Sequence, residues 1–192
     1  MDVNACYNEG TVLVRTASCS TTLISPATGF LLSKTLMTEL LTEYERRLKE
    51  RGPAALDFLN LRVPHRYTAV YALADGHLRN LYLYDKLGEV VPEFLQTVPF
   101  EDSFCQFVLR DGVFLTHDSG SDPRLNGHRY QGVMVTYHGV PLLDDYGQLF
   151  GTLCHFDVVS HGLSDSELQL LQLAGRTLPR YLPRTTGSFS GT

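Results

Sequence analysis

The chain has 192 residues, 43% of them hydrophobic, 19% charged and 10% aromatic. This is the balance of one soluble globular domain with short extensions, and it excludes collagen, coiled-coil and disordered chains. Sixteen Lys and Arg against twenty-one Asp and Glu give a formal net charge of -5, so no global positive field draws the chain to nucleic acid or to an anionic membrane.

Residues 1–32 are rich in Ser, Thr and small residues without a sustained period and read as a loosely ordered N-terminal extension. From Ser33, Leu36, Met37, Leu40, Leu41, Tyr44 and Leu48 recur at helical spacing, and Gly52-Pro53 stops the helix near Arg51. A short second helix is expected over Ala54 to Leu61, before Pro64. The period then changes to two. Tyr67 to Ala74 and Leu78 to Tyr84 form a hairpin around Asp75-Gly76, a dipeptide suited to the positive φ of a tight turn.

Residues 85–100, with Gly88, Pro92 and Pro99, read as a connecting loop, after which Asp102 caps a helix from Ser103 to Leu109. A third strand is expected at Val113 to His117 and a turn-rich loop from Asp118 to Arg124. Gly132 to Leu143 and Gln148 to Asp157 form a second hairpin around Asp144-Asp145-Tyr146-Gly147, so the sheet is largely antiparallel. Ser164 and Glu167 fit a capping box, and Leu168, Leu171, Ala174, Leu178 and Tyr181 give the last helix an apolar stripe. Pro179 crowds the carbonyl of Gly175 and ends or opens that helix, and residues 183–192 read as a tail.

Three strings in this order of elements carry a family signature. They are Ser103-Phe104-Cys105; Asp118 through Asp122-Pro123-Arg124; and Gly139-Val140-Pro141-Leu142 followed by Asp145-Tyr146-Gly147 and Gly151-Thr152-Leu153-Cys154. Over about residues 33–182 the chain resembles a GAF domain, closest to bacterial ones whose last hairpin ends in G-T-L-C. The resemblance implies an α+β fold: a six-stranded antiparallel sheet, terminal helices on one face and a small-molecule pocket on the other. Such domains bind cyclic nucleotides, bilins, haem or small metabolites, so the ligand has to be read from the site.

With Leu143 set opposite Gln148, one face of the last hairpin is mostly apolar, carrying Tyr137 opposite Cys154, Val135 opposite Phe156 and Pro141 opposite Phe150. The other carries Thr136 opposite His155, His138 opposite Leu153 and Met134 opposite Asp157, and this mixed face is the expected pocket wall. Imidazoles there can orient a polar ligand or titrate near neutral pH. Asp118, Asp122, Arg124, Arg129 and Tyr130 follow strand three, where the loop would cross the pocket mouth. Arg129 suits a carboxylate or phosphate, while the aspartates also fit simple turn capping. The ligand-binding candidates are Thr136, His138, His155, Arg129, Tyr130, Asp118 and Phe104.

Four cysteines, Cys6, Cys19, Cys105 and Cys154, lack the spacing of a zinc site. Cys105, near a helix N-terminus, and Cys154, on the last strand, form a conceivable redox pair, although both sit among phenylalanines and also suit plain burial. Cys154-His155 spells the bilin-attachment pair of phytochrome-like GAF domains, but inside a strand rather than on a helix, and the residue set of cyclic-nucleotide phosphodiesterase GAF domains is missing. No bilin, haem or metal is expected, and His117 and Asp118, adjacent on a strand, point to opposite faces.

No dinucleotide, phosphate-loop, zinc-protease or nucleophile-elbow motif occurs, and Gly187 to Gly191 has Phe where an elbow needs Ser. The leading expectation is a sensory or regulatory domain binding an unidentified small molecule, with a separate output protein or a homodimer. The alternatives are a thiol-based redox enzyme or sensor using Cys105 and Cys154, and a dimerisation scaffold pairing Leu36, Leu40, Leu171 and Leu178. Met1-Asp2-Val3-Asn4 lacks the basic start of a secretory leader, and charges break every apolar stretch below the ~18 residues of a membrane span, so a cytoplasmic location is expected.

Overall fold

The structure is a computed structural model that describes residues 12–14, 22–24, 26–89 and 93–183, with side chains from Lys34 onward. Cys6, Cys19 and most of the expected tail lie outside the described residues. The chain divides into two compact units, residues 1–42 and 43–192. In the first, β1 (Val12–Val14) pairs antiparallel with β2 (Thr22–Ile24). Helix α1 (Pro26–Arg51) begins at Pro26 rather than at Ser33. Proline suits a first helical turn, whose N–H groups have no partner, but Pro26-Ala27-Thr28-Gly29 carries no apolar period to reveal it.

The second unit is built on a six-stranded antiparallel sheet. Tyr44 and Leu48, on the last turns of α1, are buried, and Tyr44 stacks on Phe58 at 6.1 Å between ring centroids. Pro53 starts a 3-10 turn over Gly52–Ala55, so the expected second helix is split and its regular part, α2, is Leu56–Asn60. β3 (Tyr67–Ala74) and β4 (His77–Asp85) form the first hairpin, with Asp75 at φ 52 and Gly76 at φ 72, the paired positive angles of a two-residue turn.

The expected loop after β4 holds a strand that the pattern did not reveal, β5 (Thr97–Pro99), paired on the outer edge of β4. It is three residues long and ends in proline, which only an edge position tolerates. Helix α3 is Cys105–Asp111, and Asp102 does not cap it: Ser103 Oγ accepts from the Cys105 amide at 3.1 Å, while Asp102 pairs with Arg129. β6 (Phe114–Thr116), β7 (Thr136–Leu143) and β8 (Leu149–Asp157) complete the order β5-β4-β3-β8-β7-β6. Residues 132–135, expected as strand, precede β7 in turns.

The final hairpin pairs two residues away from the expected register: Tyr137 faces Phe156, Gly139 faces Cys154 and His138 faces His155. The connection is one residue longer, with Leu143 opposite Leu149, and a bulge at Leu142/Leu143 adds another. Two single-residue shifts restore the original faces. Ser164 Oγ caps α4 (Asp165–Thr177) by accepting from the Glu167 amide at 3.3 Å, but the Glu167 carboxylate goes to Arg62 at 2.6 Å instead of closing the box. A 3-10 turn at Leu178–Tyr181 follows, opened by Pro179. Leu171, Ala174 and Leu178 are fully buried, and Gly175 lies against Val140 and Pro141 of β7, so the stripe of α4 packs on its own sheet. No described helix is long and apolar enough to cross a membrane.

Candidate functional site

The sheet face away from α4 carries the aromatic core. Tyr67, Ala69 and Tyr71 of β3, Cys154 and Phe156 of β8 and Tyr137 of β7 share it with Phe104, Cys105, Phe107 and Val108 from the α3 segment. Between this face and the segments 94–104 and 130–134 lies an open pocket. It is lined by Tyr71, Phe94, Leu95, Val98, Asp102, Ser103, Phe104, Tyr130, Met134, Tyr137 and Phe156, and together with its open mouth it encloses about 460 Å³.

Most of this lining is apolar by construction. Tyr71 donates its hydroxyl to the Leu95 carbonyl at 3.0 Å, and Tyr137 donates its own to Cys105 Sγ at 3.2 Å, so both rings offer the pocket carbon rather than oxygen. Gly139 makes the second arrangement possible: a Cβ there would lie 2.6 Å from the Tyr137 ring, which folds across the glycine. Phe104 meets Tyr137 edge to face at 5.7 Å and sets the opposite wall.

Cys105 sits behind Tyr137 and is fully buried. Its sulfur accepts hydrogen bonds from Tyr137 Oη and, at 3.1 Å, from Thr152 Oγ1. Burial opposes a thiolate, but hydrogen bonds from Cys154, Ser103, Thr152 and Tyr137 outweigh it and bring the Cys105 thiol below its ordinary value. Cys154 is pushed well up by burial and by its neighbour's negative sulfur. The two thiols are thus one acidic and one basic partner of a single buried pair.

Among the residues expected from sequence, Phe104 and Tyr130 line the pocket. Arg129 stands outside it and pairs with the lining residue Asp102 at 2.9 Å, Nη1 to Oδ2. Asp118 and Asp122 cap turns. Asp118 accepts from the Gly120 amide and Ser121 hydroxyl, and Asp122 accepts from the Arg124 amide and guanidinium. Arg124 also stacks over Phe114 at 4.5 Å.

The polar trio expected as the pocket wall lies on the opposite face, beneath α2 and α4. Thr136 is buried; its hydroxyl accepts from the His161 amide and reaches the carbonyls of Val159 and His117, which pins the loop after β8. His155 Nδ1 is 2.7 Å from Thr68 Oγ1, which in turn accepts from Asn60 Nδ2 at 2.8 Å.

His138 joins a chain of imidazoles: its Nδ1 is 2.9 Å from His65 Nε2, and its Nε2 is 3.0 Å from His117 Nδ1. The chain runs from exposed His117 to fully buried His65, and His161, paired with Asp157, lies against it at 5.4 Å from the His65 ring. Burial first, then neighbouring imidazoles, lower His65 to about 4 and His138 to about 3. Among the described residues no three His, Cys, Asp or Glu side chains are arranged to hold a metal ion.

Sequence reasoning sought polar residues for the pocket and therefore passed over Tyr71, Tyr137 and Phe156, although it had placed Tyr137 and Phe156 on neighbouring positions of the same apolar strand pair. The signal that could have found them was the concentration of aromatics on that face.

A six-stranded antiparallel sheet with α2 and α4 on one face, and α3 beside an open pocket on the other, is an arrangement that can be compared with known folds. No family model and no curated protein matches the sequence, but solved structures do match the fold. The GAF domain of an Acinetobacter phosphoenolpyruvate-protein phosphotransferase superposes with a TM-score of 0.61 at 10% identity, covering 76% of this chain and 92% of that one. The corresponding GAF domain from Coxiella burnetii gives 0.56 at 16% identity, covering 76% and 91%. Free methionine-R-sulfoxide reductase from Neisseria meningitidis, solved with its substrate, gives 0.59 at 16% identity, covering 77% and 88%. The chain has the GAF fold.

Proposed function

We propose that the chain is a sensory or regulatory GAF domain that holds a small, largely apolar molecule in the aromatic pocket and passes its occupancy to a partner protein or a second copy. The observation that carries this reading is the open pocket on the sheet face away from α4, with the Tyr71 and Tyr137 hydroxyls tied away from it. The described residues carry no set of groups arranged for hydrolytic or phosphoryl chemistry at that pocket. Native mass spectrometry of freshly purified protein, followed by a thermal-shift screen of metabolites, tests it. The expected result is an added mass or a stabilising compound whose effect disappears in Met134→Trp, which fills the pocket. No ligand by either method overturns the reading.

A second reading rests on Cys105, whose lowered pKa and neighbouring Cys154 suit thiol chemistry. Its fold neighbours include free methionine-R-sulfoxide reductases. Reduction of a sulfoxide by this pair would yield the sulfide and water while two thiols become a disulfide. Turnover of free methionine sulfoxide with dithiothreitol, abolished in Cys105→Ser and Cys154→Ser, would support this reading; no turnover, or turnover unchanged in both variants, would dispose of it.

A further inference from the structure

The pocket's electrostatics are one-sided. Six aromatic rings line it, those of Tyr71, Phe94, Phe104, Tyr130, Tyr137 and Phe156, and Asp102 is the one ionisable acid or base among the lining residues apart from the tyrosines. Aromatic faces carry negative charge density, and with the Tyr71 and Tyr137 hydroxyls turned away it is the rings that are offered to an occupant. A carboxylate at the edge of such a lining needs a cation. In this structure the cation is Arg129, which reaches Asp102 through one nitrogen from outside, over the Tyr130 ring, with its side chain 65% exposed. A long exposed side chain with a single contact gives little stabilisation and is readily displaced.

We propose that the pocket is selective for organic cations of the alkylammonium class, which place the charged head among the aromatic rings and replace Arg129 at Asp102. This rests on the reading of the domain as a small-molecule binder and narrows its ligand class. An ammonium with methyl substituents satisfies both parts of the lining: its carbon surface buries against the rings, and its diffuse charge meets their faces and the carboxylate. A neutral molecule of the same shape gains only the burial, and an anion meets the acid and the ring faces with the wrong sign.

The test measures binding of tetramethylammonium, choline and benzyltrimethylammonium by calorimetry, alongside uncharged carbon isosteres such as 3,3-dimethylbutan-1-ol for choline. At least one cation is expected to bind about tenfold or more tighter than its isostere. Asp102→Asn should weaken cation binding toward the isostere's level, leaving the part due to the rings, and leave the isostere unchanged. Arg129→Gln, at an exposed position that folding does not require, should strengthen cation binding by removing the internal competitor. Isosteres binding as tightly as cations, or Arg129→Gln weakening binding as it would for an anion site, overturns the proposal while leaving small-molecule sensing intact. Failure of all three cations while the metabolite screen yields another ligand also overturns it alone. Failure of cations, isosteres and the screen together removes the underlying reading as well.

Discussion

Acidification from pH 7 to pH 5 should destabilise the domain steeply, and the cause is the imidazole chain under the helices. His65, His138 and His155 are at most 2% exposed. The first two are held at about 4 and about 3, and burial pushes the third well below the ordinary histidine value. The other ionisable groups that face them are His117, His161, Lys86, whose Nζ is tied to the Val63 carbonyl at 2.6 Å, and Asp157, engaged by the Arg66 amide and His161. An unfolded histidine takes its proton near 6.5. Because the folded values lie lower, the unfolded chain binds more protons between the two, so stability is full above about pH 6.5 and falls with pH until the folded values are reached.

Such a histidine contributes a slope of about 1.4 kcal/mol per pH unit, hence about 2 kcal/mol at pH 5 for each of His65 and His138 and about 4 kcal/mol for the two, with His155 acting in the same direction. That is a large part of the roughly 5–15 kcal/mol that holds a domain together. Glu43 and Asp122, each lowered to about 2 chiefly by hydrogen bonds from arginine, lose their contribution as pH falls through and below the ordinary carboxylate range, so they add little to the change between pH 7 and pH 5. Urea titrations at pH 7 and pH 5 should differ in midpoint by at least about 2 M for a slope of about 2 kcal/mol/M. Calorimetry at pH 5.5 in buffers of different ionisation enthalpy should show at least about two protons taken up on unfolding. Coincident urea curves, with less than about one proton taken up, would refute the reasoning.

The remaining expectations concern single side chains. Tyr137→Phe removes a donor from Cys105, so the thiol's pKa should rise relative to the unaltered protein in a titration followed by thiolate absorbance; an unchanged value would mean that Tyr137 does not stabilise the thiolate. Gly139→Ala puts a carbon where the Tyr137 ring lies and should cost roughly 1–3 kcal/mol in urea melts, with an altered near-ultraviolet circular dichroism. Asn60→Ala deletes an amide that donates to the carbonyls of His65 and Arg66 and to Thr68, and should cost about 2–4 kcal/mol by the same measurement.

Much of the fold was legible because its signals are local. Asp75-Gly76 declares its turn through backbone angles that few other pairs accept, and Ser164 caps α4 as its position before an apolar period suggests. β5 was not legible, since three edge residues cannot establish a period and Pro99 argues against a strand. The division of β7 and β8 into two faces was correct, and even a two-residue error in register preserved it. Polarity could not say which face holds the pocket. Thr136, His138 and His155 are polar residues satisfied by Thr68, Asn60, His65 and the loop after β8, and those partners are distant in sequence. The ligand-facing side is aromatic, and in a sequence an aromatic that lines a cavity looks the same as one that fills a core.

Tyr137 belongs to two environments at once: one part of its ring borders the pocket, and its hydroxyl holds the sulfur of Cys105. An occupant that presses on the ring alters how well that hydroxyl supports a negative sulfur. Thermodynamic reciprocity then requires that the factor by which occupancy changes the thiol's proton affinity equal the factor by which deprotonation changes the occupant's affinity. On the proposed reading the thiol would thus be an internal gauge of the pocket, and its thiolate absorbance would report occupancy without touching the ligand.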